Sequence, residues 1–442
     1  MNRKTRLLNA GIRIVVLDDD PTGIQTVHGC LVLTEWSGPN IVAALKDDEP
    51  YFFILTNTRA FAPEKAREII AEITRQVVQA NLAYGYRLVF ICRSDSTLRG
   101  HFPLEMDTVI ETAGIRPEAR FLIPAFFEGK RVTTGDVHYI VEGKTMIPCH
   151  ETEFARDTAF GYATAHLPGY VEEKTNGRIH RDEIISLSQK LLQKDAQSEL
   201  ALFLDAVPPG RFVVVNATGY AELDRFSDAI VTRLEGCAVT IFQSAASFVK
   251  SLVACPVAAP VGSGAKPHGG PGLIVVGSHV EKTTRQLNAL LAAPGLEAIK
   301  IDVSALLKNE NALSTATSKA LHEAFKAGST PVVFTSRTLW QSTGNAAQLE
   351  SGRRISAFLS MVVATAKTAP SFLIAKGGIT AHDILTSGLG IARARVLGQA
   401  APGVPVIRMP PGHRWAGMPY VIFPGNVGED DALKRVYLSL AN

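Results

Sequence analysis

The stretch IVVLDDDPTG, residues 14–23, decides how the chain is read. Four apolar residues in a row, Ile14 to Leu17, mark a strand covered on both faces of a parallel sheet, and the charges and turn residues behind them end it abruptly. In open α/β sheets ligands collect beyond the carboxyl ends of strands, so Asp18, Asp19 and Asp20 stand where catalytic or Mg²⁺-binding groups belong. Three adjacent carboxylates repel one another, and a cation or a proton shared among them would relieve that. The plainer reading is a solvated turn with an aspartate capping the next helix. The apolar run is too short for the core of a signal peptide and meets charge at once, so a first strand is expected.

Outward from this strand the pattern repeats. Short β-branched or aromatic runs at 30–34, 51–56, 87–92, 120–124, 212–216 and 239–243 alternate with helix-like segments, which predicts a mostly parallel α/β sheet. Residues 63–83 set Ile69, Ile70, Ile73, Val77 and Val78 at helical spacing behind Pro63, which a first turn accepts. The segment CPVAAPVGSGAKPHGGPG, 255–272, has no apolar period and is dense in Pro, Gly and Ala; it predicts a linker between domains at 1–254 and 273–442. Beyond it α/β alternation resumes, with strands expected at 273–277, 331–335, 371–375, 404–408 and 420–423 and helices at 281–292, 314–326 and 353–367.

Bulk properties narrow the function classes. The 442 residues exceed one ordinary core, 46% are hydrophobic and 20% charged, and the net charge is +3 without a basic block. These values predict a cytoplasmic enzyme acting on small molecules, with no nucleic-acid footprint and no apolar run of the roughly 18 residues that spans a bilayer. A homodimer is left open. Cys30, Cys92, Cys149, Cys237 and Cys255 are scattered and form no CxxC pair, so neither a disulfide framework nor a zinc site is expected.

Two further motifs follow strands. In CRSDSTLRGH, residues 92–101, Asp95 is suited to accept a hydroxyl proton, Ser96 and Thr97 to bond hydroxyl or carboxylate oxygens, and Arg93 and Arg99 to hold an anion. The bland alternative is a surface turn with Asp95 as a helix cap. In AKGGITAHDIL, residues 375–385, two glycines lead into a helix whose start is marked by Thr380 and Asp383 in near capping-box spacing, and such a turn can cradle phosphate through backbone N–H groups. Residues 275–284 and 423–431 also end strands in small or glycine-rich turns; three such turns in one domain suggest a nucleotide cradle, although each alone is often only conformational. His138 and the run HETEFARD, 150–157, form a polar stretch that either reaches the cleft or is surface loop. No Walker A loop, kinase HRD or DFG set, or GxGxxG after a strand is present.

In their order, DDDPTG, RSDSTLRG, the segment at 124–131, Gly277-Ser278, GGIT and PGNVG resemble the four-carbon acid sugar kinases, over nearly the whole chain. That family phosphorylates sugar acids such as threonate, erythronate or 3-oxo-tetronate with ATP. The resemblance implies two α/β domains with a cleft between them, ATP and Mg²⁺ as cofactors, and a sugar-acid domain before the linker. It lays the family's opening motif on Asp19, Asp20, Pro21, Thr22 and Gly23, and DSTLRG intact on Asp95 to Gly100. Asp95, Asp20 and Asp19 are then the catalytic candidates, with Asp95 or Asp20 as base. Arg93, Ser96, Thr97, Arg99, Gly100, Thr22 and His138 are the candidates for holding the acid. Nucleotide contacts are implied at Ser278, Gly377, Gly378, Ile379, Thr380, Gly425 and Asn426. Two positions depart from the family pattern: Ile379 replaces a common acidic residue, and Arg93 replaces a common lysine, keeping charge but making a poor proton shuttle.

Two rivals remain. Asp18-x-Asp20-x-Thr22-Gly23 after a strand also fits a haloacid-dehalogenase phosphatase, with Asp18 as nucleophile, Asp20 as acid and Thr56 as a second motif. A non-catalytic sugar-acid binding protein would close on its ligand without turnover.

Overall fold

All seven residues of β1 (Ile12–Asp18) are buried, as an uninterrupted apolar run requires of a strand covered on both faces. The structure, a computed structural model, describes residues 1–278, 280–336, 345–425 and 427–442. Contacts divide it into two units, Met1–Val257 and Ala258–Asn442.

After β1 the first unit contains β2 (Leu31–Leu33), β3 (Tyr51–Leu55), β4 (Arg87–Arg93), β5 (Ala119–Ile123), β6 (Arg131–Thr134), β7 (Val137–Glu142), β8 (Thr145–Pro148), β9 (Ile185–Leu187), β10 (Arg211–Val215) and β11 (Thr240–Ser244). Its main sheet runs β2-β3-β1-β4-β11-β5-β10-β9, with every one of these pairings parallel. The chain fills one side of β1 and then the other, so strand order reverses between β1 and β4. That reversal opens a crevice beyond the strand ends. The parallel register sets Asp18 opposite Arg93 there. The helix Pro63–Asn81 covers a sheet face with Ile69, Ile70, Ile73 and Val77 buried, and Val78 packs partly buried against the same cluster.

The second unit contains β12 (Leu273–Val276), β13 (Leu296–Ile301), β14 (Thr330–Thr335), β15 (Leu373–Lys376), β16 (Arg393–Ala401), β17 (Val404–Arg408) and β18 (Pro419–Phe423). Its strands run β13-β14-β12-β15-β18-β17-β16. Pairing is parallel as far as β18 and antiparallel through the last two pairs. Order reverses between β12 and β15, which carries Gly277-Ser278 and Gly377-Gly378 to the edge of a second crevice.

The expected architecture of two α/β units with mostly parallel sheets is the one the chain forms. Three details differ. The polar stretch around His138, for which no strands are expected, is an antiparallel sheet of β6, β7 and β8, because Gly135 and Gly143 at φ 55° and 60° permit tight hairpin turns. β9, β13 and β16 also lie outside the expected strands; β9 is only three residues long, and the other two lack the continuous apolar run of the central strands. The third difference is a correction: the helix of the GGIT motif does not start on a Thr380–Asp383 capping box. It starts at Gly378, with Gly377 as N-cap at φ 118° and no side-chain cap, while the Asp383 carboxylate accepts from Ser356. A glycine that turns the chain straight out of β15 makes a polar cap unnecessary. Among the described residues no helix is long and apolar enough to cross a membrane.

Candidate functional site

The three aspartates of the first turn take different partners. Asp18, 1% exposed, receives a hydrogen bond from Arg93 Nη1 at 3.1 Å. Arg93 is itself 3% exposed, so the residue expected as an anion clamp is committed to its strand neighbour. Gly23 lies so close that a Cβ there would overlap the Asp18 carboxylate. Asp19 is gripped on both oxygens by Arg59, through Nε at 3.1 Å and through Nη2. Asp20 closes its own turn, accepting from Thr22 N at 2.8 Å and Thr22 Oγ1 at 2.5 Å, with Arg59 Nη1 3.4 Å away.

Arg59 is the residue that sequence reading missed. It sits on the short turn Thr58–Ala60 after β3, which Asn57 enters in the left-handed conformation at φ 51°. Besides Asp19 and Asp20 its Nη1 lies 3.9 Å from Asp95. No local pattern in ILTNTR announces this, because the partners come from other strands. Nearby, Glu105 is buried at 2% exposure and accepts from Thr58 Oγ1 at 2.5 Å.

Asp95 accepts from Arg99 Nε at 2.7 Å and from Thr97 Oγ1. Arg99 stacks 4.9 Å from the Phe154 ring and lies 3.6 Å from Asp157, so the polar run 150–157 does reach this loop. Gly100, at φ 132°, brings its Cα close to Asp19: a Cβ there would stand 3.1 Å from Oδ2. Behind the loop three consecutive carbonyls are taken by buried side chains. His138 Nε2 donates to Ser96 O at 2.9 Å, Tyr162 Oη to Thr97 O at 2.7 Å, and Tyr170 Oη to Leu98 O at 2.8 Å. His138 is fully buried and its Nδ1 accepts from Thr133 Oγ1 at 2.9 Å; burial depresses its pKa to about 4, so it is neutral. The structure thus gives His138 a supporting place beneath Ser96.

Electrostatics sort the carboxyls into two kinds. Burial pushes Asp18 up to about 7 against the Arg93 charge, raises Asp19 against Arg59, and lifts Glu105 to about 8, the Asp19 charge adding to it. Burial also acts on Asp20 and Asp95, but Arg59 with Arg93 in the first case, and Arg59 with Arg99 in the second, outweigh it. Both fall below the usual range, Asp95 well below. Asp20 and Asp95, which both lie within 4 Å of Arg59 Nη1, are thereby held ionised. A dedicated cation site does not fit these groups: their charges are met by guanidinium, and among the described residues no three His, Cys, Asp or Glu converge to hold a metal.

In the second unit the strand-end turns pack around Ser278. Gly277 N and Ser278 N both point at Lys376 O, at 3.2 and 3.3 Å, and a Cβ on Gly277 would overlap Thr380 Oγ1. Gly377 and Gly425 lie close to the Ser278 side chain: a Cβ on the first would stand 3.0 Å from the Ser278 Cβ, and one on the second 3.2 Å from its Oγ. Thr283 Oγ1 donates to Gly425 O at 3.0 Å. Lys376, the last residue of β15, is fully buried; its Nζ donates to Pro424 O at 2.5 Å and Gly425 O at 3.1 Å. Burial lowers its pKa to about 7. Gly378 opens the helix and Thr380 faces inward, whereas Ile379 is 73% exposed. Asn426 lies outside the described residues.

Residues 14–252 match the family model described as a sugar-binding N-terminal domain, and residues 273–433 that described as a nucleotide-binding C-terminal domain. A D-erythronate kinase of Heliobacterium modesticaldum is 29% identical over 302 residues, 66% of this chain; the chain spans 64% of that relative's length. Among solved structures, a Haemophilus influenzae protein of a domain-of-unknown-function family aligns with a TM-score of 0.67 at 15% identity, covering 96% of this chain and 100% of its own. A Salmonella typhimurium LT2 protein described as a putative tRNA synthase aligns with a TM-score of 0.70 at 15% identity, covering 96% and 98%; at such identity both speak for the fold alone. With two family models accounting for the length of both units, the chain belongs to the four-carbon acid sugar kinase family.

Proposed function

We propose that the chain is an ATP-dependent kinase that phosphorylates a hydroxyl of a four-carbon sugar acid of the threonate, erythronate or 3-oxo-tetronate type. The observation that carries this reading is Asp95, a carboxylate kept ionised between Arg59 and Arg99 at the strand-order reversal of the first unit. An acid so easily ionised is a weak base at rest. It orients the attacking hydroxyl and takes its proton late, when the forming bond to phosphorus has made that proton acidic. Asp20 is the second candidate for the task. Arg99, partly exposed beside Asp95, is suited to the acceptor's carboxylate, while Thr22, Ser96, Thr97 and Gly100 shape the pocket around it.

On the nucleotide side the proposal assigns Ser278, Gly377, Gly378, Ile379, Thr380 and Gly425 to the phosphates and sugar. The glycines let backbone N–H groups approach phosphate oxygens without a Cβ between them. Mg²⁺ would arrive on ATP as part of the substrate. The phosphatase alternative asks Asp18 to be an exposed nucleophile; at 1% exposure and paired with Arg93 it is not one.

The test is to incubate the purified protein with Mg-ATP and a panel of four-carbon sugar acids and to measure ADP. Acid-dependent ADP that is lost in Asp95→Asn and in Gly378→Trp, both still folded, supports the kinase. Phosphate released from sugar phosphates without ATP would mean the phosphatase, and binding of an acid without either product a sensor.

A further inference from the structure

Arg59, Arg93 and Arg99 each hold a carboxylate in or beside the Asp18–Asp20 turn and the Asp95 loop. A fourth arginine near them, Arg131 at the start of β6, holds none among the described residues. Its Nη1 donates to the carbonyl of Gly129, two residues back, and its Nε is buried without an acceptor. Gly129 permits this fold: a Cβ there would stand 2.8 Å from Arg131 Nη1. A guanidinium carries five donors and cannot shed its charge, so a partly buried one without a counter-ion costs stability. Burial pulls the Arg131 pKa below the usual arginine value, with the Asp95 charge opposing that pull and the Arg99 charge adding to it.

Strand geometry fixes the face that Arg131 occupies. β6 pairs with β7 so that Arg131 lies opposite Ile140 and Thr133 opposite His138. Alternate residues of a strand share a face, and so do residues directly opposed across an antiparallel pair. Arg131 is therefore on the face that carries Thr133 and His138. That face is turned to the Asp95 loop, because His138 Nε2 donates to Ser96 O at 2.9 Å. Arg131 is only partly buried, so a ligand can reach it.

We propose that Arg131 is a specificity-determining residue which, together with Arg99, takes the carboxylate of the acceptor. This rests on the kinase reading above. A carboxylate is planar and offers two oxygens to a guanidinium fork, and it returns the negative charge that Arg131 lacks, as a hydroxyl does not. Arg99 has less to give, because Asp95 and Asp157 already face it. The transferred phosphoryl group is the other anion of the reaction; a residue that held it would act on kcat and on ATP, whereas one that holds the carboxylate acts on the KM of the acid.

The experiment compares the four-carbon acid that gives most ADP with its neutral amide, in the full-length wild type, Arg131→Gln and Arg131→Lys. ADP release gives kcat and KM, calorimetry gives affinity without turnover, and urea midpoints report the fold. The wild type is expected to prefer the acid by about a hundredfold in kcat/KM, chiefly through KM, as charge-assisted bonds to a carboxylate provide. Arg131→Gln cuts that preference at least tenfold by using the acid less well and the amide as before, with the KM for ATP unchanged. Arg131→Lys, which keeps the charge without the fork, restores part of it. The urea midpoint of Arg131→Gln is no lower than that of the wild type, since no ion pair within the protein is lost. An equal preference in wild type and Arg131→Gln, or a loss confined to kcat, overturns the assignment. If Arg131→Gln fails to fold, Arg131→Lys decides by the same ratio. Should no acid yield ADP, the kinase reading fails, while calorimetry still judges Arg131 by whether the acid binds more tightly than the amide and Arg131→Gln removes the difference. No binding of any acid overturns both.

Discussion

Arg59 holds Asp19 by both carboxylate oxygens, and the Asp19 side chain is only 1% exposed. The pair is therefore largely removed from water, and its geometry is that of a fork meeting a fork. Breaking such a pair from one side leaves a buried charge without compensation.

Arg59→Met is expected to lower stability by about 3 kcal/mol, read as a lower urea midpoint. Arg59→Lys recovers only part of it, because one ammonium cannot grip both oxygens. In the proposed reaction the Lys variant also loses more kcat than stability, since Asp95 and Asp20 share the same guanidinium. An unchanged midpoint in the Met variant would refute the pairing.

Glu105 gives a pH test. Its folded pKa is raised to about 8 by burial, above the roughly 4.3 of an unfolded glutamate. The folded chain thus binds the extra proton between those values, and the stability this brings is complete below about pH 4 and is lost as pH rises through about 8. Glu105→Gln removes this dependence. Thermal midpoints measured at pH 5 and pH 8 should move in favour of the Gln variant as pH rises; a constant difference between the two proteins would contradict the assignment.

Lys376 has the opposite sign. Its folded pKa is lowered to about 7, so between pH 7 and about 10 the unfolded chain binds more protons and stability rises with pH. Lys376→Met, which cannot donate to Pro424 O and Gly425 O, should be less stable than the wild type by a margin that widens across that window. A margin in urea midpoints that stays constant from pH 7 to about 10 would contradict the depressed pKa.

Tyr170→Phe deletes the donor to Leu98 O and leaves a buried carbonyl unpaired, at a cost of about 1–3 kcal/mol. In the proposed reaction kcat falls with the looser loop, and the affinity of the second unit's nucleotide stays as it was. A kcat equal to that of the wild type would show that the loop holds its shape without this tether.

Much of this arrangement could be read from the chain itself. The run Ile14 to Leu17 announces β1, and the motifs at 18–23, 92–101, 277–278 and 376–380 each fall where strand order reverses. What escaped depends on neighbours distant in sequence. Arg59 is 40 residues from Asp19, and only the pairing of β3 beside β1 brings them together. His138, a candidate for holding the acid, is buried under Ser96 by the pairing of β6, β7 and β8, which no local pattern announces. Lys376 is visible as a charged residue closing an apolar strand, but the carbonyls that receive it lie 48 and 49 residues away.

The three tethered carbonyls at Ser96, Thr97 and Leu98 bear on how a ligand is received. A segment already deprived of its conformational freedom gives up little entropy on binding, so affinity for the acceptor should come with a modest heat-capacity change and fast association rather than with slow ordering of the loop. In the proposed reaction, recognition at Asp95 is, in this sense, completed when the chain folds.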